Sequence, residues 1–268
     1  MDPALTERST RVVSFAKLHR SGERRDRGEF LVEGANSVRA ALDTGVARTV
    51  LVRADEELRH ADILDAARTA GIETLVVTAR AADKLAETST SPGLFAICDL
   101  LDTSPRQIID AAGEKSTIAV GVDIADPGNA GTLIRTADAM GCAGVVLVGS
   151  ATVDPHNGKA VRASAGSVFH LPVARAQDPH AVVSALRDAG FAVLATAADG
   201  ELSLDAADAV VSTRAAWLFG NEAHGLPADL LAAADHRVSI PIHGRAESLN
   251  IAAAAAVCLY ASARATHR

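Results

Sequence analysis

The chain has 268 residues, of which 49% are hydrophobic and 22% charged, with a formal net charge of −7. That length holds one large or two ordinary domains, and the composition buries a real core and excludes a disordered polymer. The acidic balance argues against indiscriminate nucleic-acid binding, and Cys98, Cys142 and Cys258, odd in number and scattered, indicate neither a disulfide framework nor a thiolate metal site.

In chain order, residues 9–20 read as a helix with Val12, Val13, Phe15 and Ala16 on one side. Between positions 8 and 27, Arg8, Arg11, Lys17, Arg20, Arg24, Arg25 and Arg27 face only Glu23 and Asp26. This basic segment on an acidic body would steer a polyanion to one edge; a solvated helix face followed by an Arg-rich loop accounts for the charge equally well. A second helix is expected at 32–44, a strand at 49–52, a helix at 61–70 closed by Gly71, and a strand at 73–77. A weaker helix at 81–86 and a strand at 95–100, entered through Ser91-Pro92-Gly93, complete a small α/β unit at 1–105. A seam at 102–115 supplies a linker, 106–115, before a second domain at 116–268.

That domain opens with an apolar strand at 117–123, a loop at 124–128, a helix at 129–140 and a strand at 144–148. Helix 179–189 leads to strand 192–196. Strand 215–219 ends in a glycine corner, a short helix follows Pro227, strand 236–240 comes next, and a long helix spans 248–263. Alternating strands and helices with continuous apolar strands predict an α/β fold, a mainly parallel sheet with helices on both faces. The last helix, with AAAAAVCLYA, offers little polar face, so burial against a second copy of the chain is expected. Its apolar run, 251–260, is about half the ~20 residues a bilayer requires. The polar start MDPALTERSTR lacks a secretory apolar stretch, and a cytoplasmic location is expected.

Three corners stop apolar strands with glycine and short polar residues: PGNAGTLIR at 127–135, FGNEAHGL at 219–226 and IPIHGRAESLN at 240–250. Ligands gather where backbone comes close and polar groups converge. The first is not a dinucleotide fingerprint, since Gly128 and Gly131 break the GxGxxG spacing; Gly158-Lys159-Ala160 is not a P-loop. Asn129 reads as a helix cap or as a site residue, and Arg135 as a surface residue or a functional cation. Glu222 stands at the carboxyl end of a strand, as a capping acid or a site acid. Ser248 reads as an N-cap, with Asn250 in the following turn. His156, His224 and His243 match no zinc spacing, so no metal is expected.

Together, in this order, the three corners resemble the motifs of the SPOUT methyltransferases, closest to the branch that methylates ribose 2′-hydroxyls of ribosomal or transfer RNA. The arrangement is also similar to the thiostrepton-resistance methyltransferases of large-subunit ribosomal RNA. FLVEGANSVRAAL and SPGLFAI resemble a ribosomal-protein-like RNA-binding domain. The resemblance implies a C-terminal trefoil knot and S-adenosylmethionine bound near Thr196, Leu218, Gly220, Ile240 and Leu249, with Gly220 and Gly225 bare to admit it. It also implies Arg135, Glu222, Asn250, Ser248 and Asn129 at the reacting centre, and a homodimer through the last helix. Arg162, Arg24 and Arg25 are candidate RNA contacts. Transfer RNA as substrate, a catalytically silent RNA-binding protein and a NAD-dependent oxidoreductase are the rival readings.

Overall fold

The computed structural model describes residues 3–221 and 223–266. The chain begins with helices α1 (Thr10–Ala16) and α2 (Ser21–Arg27), strand β1 (Glu29–Glu33), α3 (Ala35–Asp43) and β2 (Ala47–Arg53). It continues with α4 (Ala61–Thr69), β3 (Glu73–Val77), α5 (Ala79–Leu85) and β4 (Leu94–Asp99). Next come α6 (Pro105–Ala111), β5 (Thr117–Val122), α7 (Pro127–Ala139), β6 (Gly144–Val148), α8 (Gly158–Ser164), α9 (Ser167–His170) and β7 (Val173–Ala176). The remainder is α10 (Pro179–Asp188), β8 (Ala192–Thr196), β9 (Leu202–Ser203), α11 (Asp208–Val211), β10 (Ala215–Phe219), α12 (Ala228–Ala233), β11 (His236–Ser239) and α13 (Ile251–Thr266).

Two compact units form: residues up to Leu101 with His156–His170, and Asp102–Pro155 with the residues from Leu171 onward. Two details stand beside the sequence division at 105 and 116. The stretch 156–170 packs with the first unit, and most of the expected linker, 106–115, lies in helix α6 of the second. Ser104 and Gln107 cap α6 reciprocally, Pro105 starts it, and Ile108 and Ile109 are buried in the sheet's core.

In the first unit four strands run in the order β1-β4-β2-β3, with only the β2–β3 pair parallel. The helix expected from position 32 starts at Ala35 instead. Phe30, Leu31 and Val32 are buried as strand, and Gly34 at φ 93° turns the chain from strand to helix, a conformation a side chain resists. The Arg-rich stretch is helix α2, closed by Gly28 in the left-handed region. Val12, Phe15, Leu18, Leu51, Leu85 and Phe95 form the core.

The second unit carries seven strands, all paired in parallel, in the order β7-β6-β5-β10-β8-β11-β9. Ile118, Val120, Ala216 and Leu218 pack with α6 and α10 on one face. The alternate residue Trp217 points to the opposite face, where its buried indole N–H donates to Ser262 Oγ of α13 at 2.9 Å. Helices on both faces are what near-continuous apolar strands require. The chain runs outward from β5 to β7, then resumes beyond β10, which inserts between β5 and β8. Such a switch in strand order opens a crevice at the strands' carboxyl ends.

Candidate active site

That crevice is a cleft of about 590 Å³, within the range of small-molecule sites. Thr196 and the residues to Asp199 line it from the end of β8, and Phe219 to Asn221 with Ala223 to Leu226 from the end of β10. Val238, Ile240 and Ile242 follow from β11, and Glu247 to Asn250 from the approach to α13. Two of the three corners picked out in the sequence therefore wall one cavity.

The loop after β10 is closed on itself. Asn221 N donates to Gly225 O at 3.1 Å, Gly225 N returns a bond to Asn221 O at 2.9 Å, and Asn221 Oδ1 accepts from Ala223 N at 2.8 Å. A Cβ on Gly220 would lie 2.6 Å from the carbonyl oxygen of Gly225 and nearer still to Leu226 N. Gly225 sits at φ 67° with open space around it. Both glycines have a reason within the chain itself: its own backbone excludes a side chain at Gly220, and the left-handed conformation favours glycine at Gly225.

The first corner joins through asparagine. Asp126, not Asn129, caps α7, accepting from Asn129 N at 3.0 Å, and the helix starts at Pro127 rather than 129. Asn250 rather than Ser248 starts α13: its Oδ1 accepts from Ala252 N at 2.9 Å and its carbonyl from Ala254 N at 2.9 Å. Its Nδ2 donates to Asn129 Oδ1 at 3.4 Å, bringing residues 121 positions apart together. Ser248 lies in the exposed segment lining the cleft.

Of the residues expected to hold a cofactor, Thr196, Gly220, Ile240 and Leu249 line the cleft. Leu218 does not. Its side chain is in the core, and its carbonyl accepts the Thr196 hydroxyl at 3.0 Å. Arg135 is exposed on α7 and makes no hydrogen bond or ion pair among the described residues. It is not among the residues that line the cleft. Glu222 lies outside the described residues.

The candidate RNA contacts divide. Arg25 is exposed, but Arg24 is only 3% exposed and donates to the carbonyls of Leu18 at 2.9 Å and His19 at 3.0 Å, so it is a structural residue. Arg162 is bound to the carboxylates of Glu33 and Glu87, within its own unit, and is not a free cation waiting for phosphate. Arg8, Lys17 and Arg20 are exposed on the same unit.

Sequence reasoning missed Asp123, whose carbonyl accepts Asn221 Nδ2 at 2.8 Å, and the carboxylates of Asp199 and Glu247 in the cleft. The signal for Asp123 was its place directly after an apolar strand, where aspartate tolerates a left-handed turn. The three thiols are buried, which pushes Cys142 and Cys258 up to about 12 and Cys98 up as well, away from the reactive thiolate form. Among the described residues no helix is long and apolar enough to cross a membrane.

The cleft offers apolar walls and two acidic residues, Glu247 and Asp199, the latter holding Arg237 at 3.3 Å, a set suited to a flat heteroaromatic ring carrying a cationic tail. Residues 116–260 match the model of the SpoU rRNA Methylase family, and residues 9–96 that of an MRM3-like substrate binding domain. The chain is 35% identical to the 23S rRNA (guanosine(2553)-2′-O)-methyltransferase RlmP of Bacillus subtilis, over 94% of this chain and 96% of that protein. It is 30% identical to the 23S rRNA (adenosine(1067)-2′-O)-methyltransferase of Streptomyces laurentii, over 98% and 93% respectively. The crystal structure of an AdoMet-bound rRNA methyltransferase from Sinorhizobium meliloti superposes with a TM-score of 0.85 at 31% identity, covering 98% of this chain and 97% of that one. With the matched region spanning the whole cleft, the chain belongs to the SpoU rRNA methylase family.

Proposed function

We propose that this protein is an S-adenosylmethionine-dependent methyltransferase acting on a ribose 2′-hydroxyl of large-subunit ribosomal RNA. The observation that carries the reading is the shared cleft, where the 219–226 and 240–250 segments face each other and Asn250 reaches Asn129. The names of the two relatives support the substrate; they share the 2′-oxygen and differ in the base, guanosine in one and adenosine in the other. The base is therefore selected by features outside the common reacting centre.

The residues present fit the cofactor. Phe219, Leu226, Ile240 and Leu249 would hold its adenine, while Glu247 offers negative charge to a cationic ligand and Asp199 is already paired with Arg237. When bound, S-adenosylmethionine supplies an electrophilic methyl group on a sulfonium. The protein's part is alignment and stabilisation of charge on the attacking oxygen. Asn250, Asn129 and Ser248 would orient the ribose. A guanidinium is not deprotonated in proteins, so Arg135 would stabilise the developing oxyanion rather than take its proton, with Glu222 holding it in place.

Arg135 reaches that role in a homodimer. Val257 and Tyr260, 41% and 58% exposed, form an apolar stripe on α13, the helix packed against the one that carries Arg135. A second copy on that stripe would complete the surroundings of the guanidinium. Threading of the segment before α13 as a trefoil knot is part of the same proposal, as is work in the cytoplasm, where ribosomal RNA is present.

Titration calorimetry is expected to detect S-adenosylmethionine binding and no NAD binding; the reverse overturns the reading. Mass spectrometry of 23S rRNA incubated with labelled cofactor is expected to find a ribose methyl. Arg135→Ala is expected to lower turnover by ~100–1000-fold, the range for a lost oxyanion stabiliser. Its cofactor affinity should stay near that of the wild type, and full turnover would remove Arg135 from the mechanism.

A further inference from the structure

Asp123 directly follows β5 and adopts φ 49°, one of two non-glycine residues at positive φ among those described. This left-handed region is disfavoured for side chains other than asparagine and aspartate. Three bonds hold it there. Its N–H donates to Val148 O at 2.8 Å, its Oδ1 accepts from Ala151 N at 2.9 Å, and its carbonyl accepts from Asn221 Nδ2 at 2.8 Å. Gly149 makes room for the carboxylate: a Cβ there would stand 2.6 Å from Asp123 Cγ. The disfavoured conformation is thus enforced from both sides, by the 149–151 turn and by the loop after β10.

The consequence runs into the cleft. β5 and β10 are neighbours in register, Gly121 opposite Phe219, so a left-handed residue two positions past Gly121 swings its carbonyl toward the β10 loop. Asn221 takes that carbonyl with its Nδ2, caps Ala223 with its Oδ1, and pairs with Gly225 through its backbone. Gly220, Asn221, Ala223 and Gly225 all line the cleft. Asn221 ties this wall to the residue that follows β5, and Asp123 supplies its anchor.

We infer that Asp123 is a positioning residue for methyl transfer: its left-handed backbone, held by its own carboxylate, presents the carbonyl that fixes Asn221 and thereby the 220–226 wall of the cofactor cleft. The inference rests on the proposed methyltransferase function and assigns a residue that acts on the cleft without lining it.

The test compares Asp123→Asn, Asp123→Val, Asn221→Ala and the double variant Asp123→Val/Asn221→Ala in the full-length protein. Calorimetry reads S-adenosylmethionine affinity, 23S rRNA methylation reads kcat and KM, and thermal melting reads the fold. Asparagine tolerates the left-handed region and keeps an acceptor for Ala151 N, so Asp123→Asn is expected within about twofold of wild type in affinity and kcat. Valine is driven out of that region, so Asp123→Val is expected to lose about tenfold or more in both. Asn221→Ala is expected to reproduce the loss, and the double variant to be no worse than the poorer single one. A cooperatively melting Asp123→Val that binds the cofactor as wild type does overturns the inference, as do losses that multiply in the double variant. If Asp123→Val does not melt cooperatively, Asp123→Gly and Asp123→Ala take its place. Both lack the carboxylate and only glycine accepts the backbone, so glycine is expected to bind about threefold tighter or more, and equal affinity overturns the inference. A wild-type protein that binds no S-adenosylmethionine overturns the functional reading and this inference with it; a binding wild type beside an unaffected Asp123→Val overturns the inference alone.

Discussion

The two units place their polar residues differently. In the second, asparagines, serine and acids gather after the carboxyl ends of parallel strands and on the approach to α13, and Asn221, Ser248, Asn250, Asp199 and Glu247 all line the cleft. In the first, many of the charges are occupied by the fold itself. Arg11 binds Glu73, Arg27 binds Glu29 and the Ser14 carbonyl, Arg24 is buried against two carbonyls, and Arg162 joins Glu33 and Glu87. A cluster of basic residues in a sequence is therefore a weaker guide to a binding surface than a polar residue where a strand stops. The arginines carry long arms that find local acceptors, whereas the strand end is a place the fold leaves open.

The sharpest way to break this contrast is at Gly220. Gly220→Ala forces a Cβ against the Gly225–Leu226 backbone, costing on the order of 3 kcal/mol at the loop. S-adenosylmethionine binding by calorimetry should weaken by ~100-fold; wild-type affinity would show that the wall tolerates displacement.

A second comparison sets neighbours in the first unit against each other. Arg24→Ala removes a buried cation that satisfies two carbonyls and should cost ~2 kcal/mol, read as a drop of several degrees in Tm. Arg25→Ala, at an exposed position, should leave Tm within about a degree. It should instead lower RNA affinity and reduce the salt dependence of binding by about one counterion. Equal loss of stability in the two variants would erase the distinction drawn between them.

The smallest effect expected is acid sensitivity of the Glu87 cluster. The His19 ring first, and then the Arg162 guanidinium, hold the Glu87 carboxyl below its ordinary value against the opposing effect of burial. A depressed folded pKa contributes stability that is present above the ordinary glutamate value near 4.5 and lost as pH falls through the lowered one. Glu87→Gln should therefore lower Tm by ~1–3 °C at pH 7, with the gap to wild type closing in acid. A gap that is independent of pH would show that the side chain acts by packing alone.

Much of the second unit was legible because its signals are local. TIAVGV, GVVLV and AAWLF are continuous apolar runs that only a sheet covered on both faces accommodates, and all three are central strands. Strand β1 was not, since FLVE directly before Gly34 merges with a helical pattern, and only pairing of Leu31 with Ile97 decides for strand. Helix α6 carried a readable capping box at Ser104 and Gln107, but its place in a polar, Pro-containing seam drew attention to the linker instead. No local signal assigns 156–170 to the first unit, because that depends on Arg162 meeting Glu33, 129 positions away.

The chain's order of residues by itself determined the parallel sheet, the three polar corners and their kinship, because each arises from a short window where hydrophobicity and glycine act on adjacent positions. Only the tertiary structure decided which glycine guards backbone and which permits a turn, that Asn250 rather than Ser248 opens the last helix, that Arg24 is interior, and that Asp123 anchors Asn221. Those outcomes depend on which distant donors and acceptors come within hydrogen-bonding reach, and packing settles that where sequence distance carries no information.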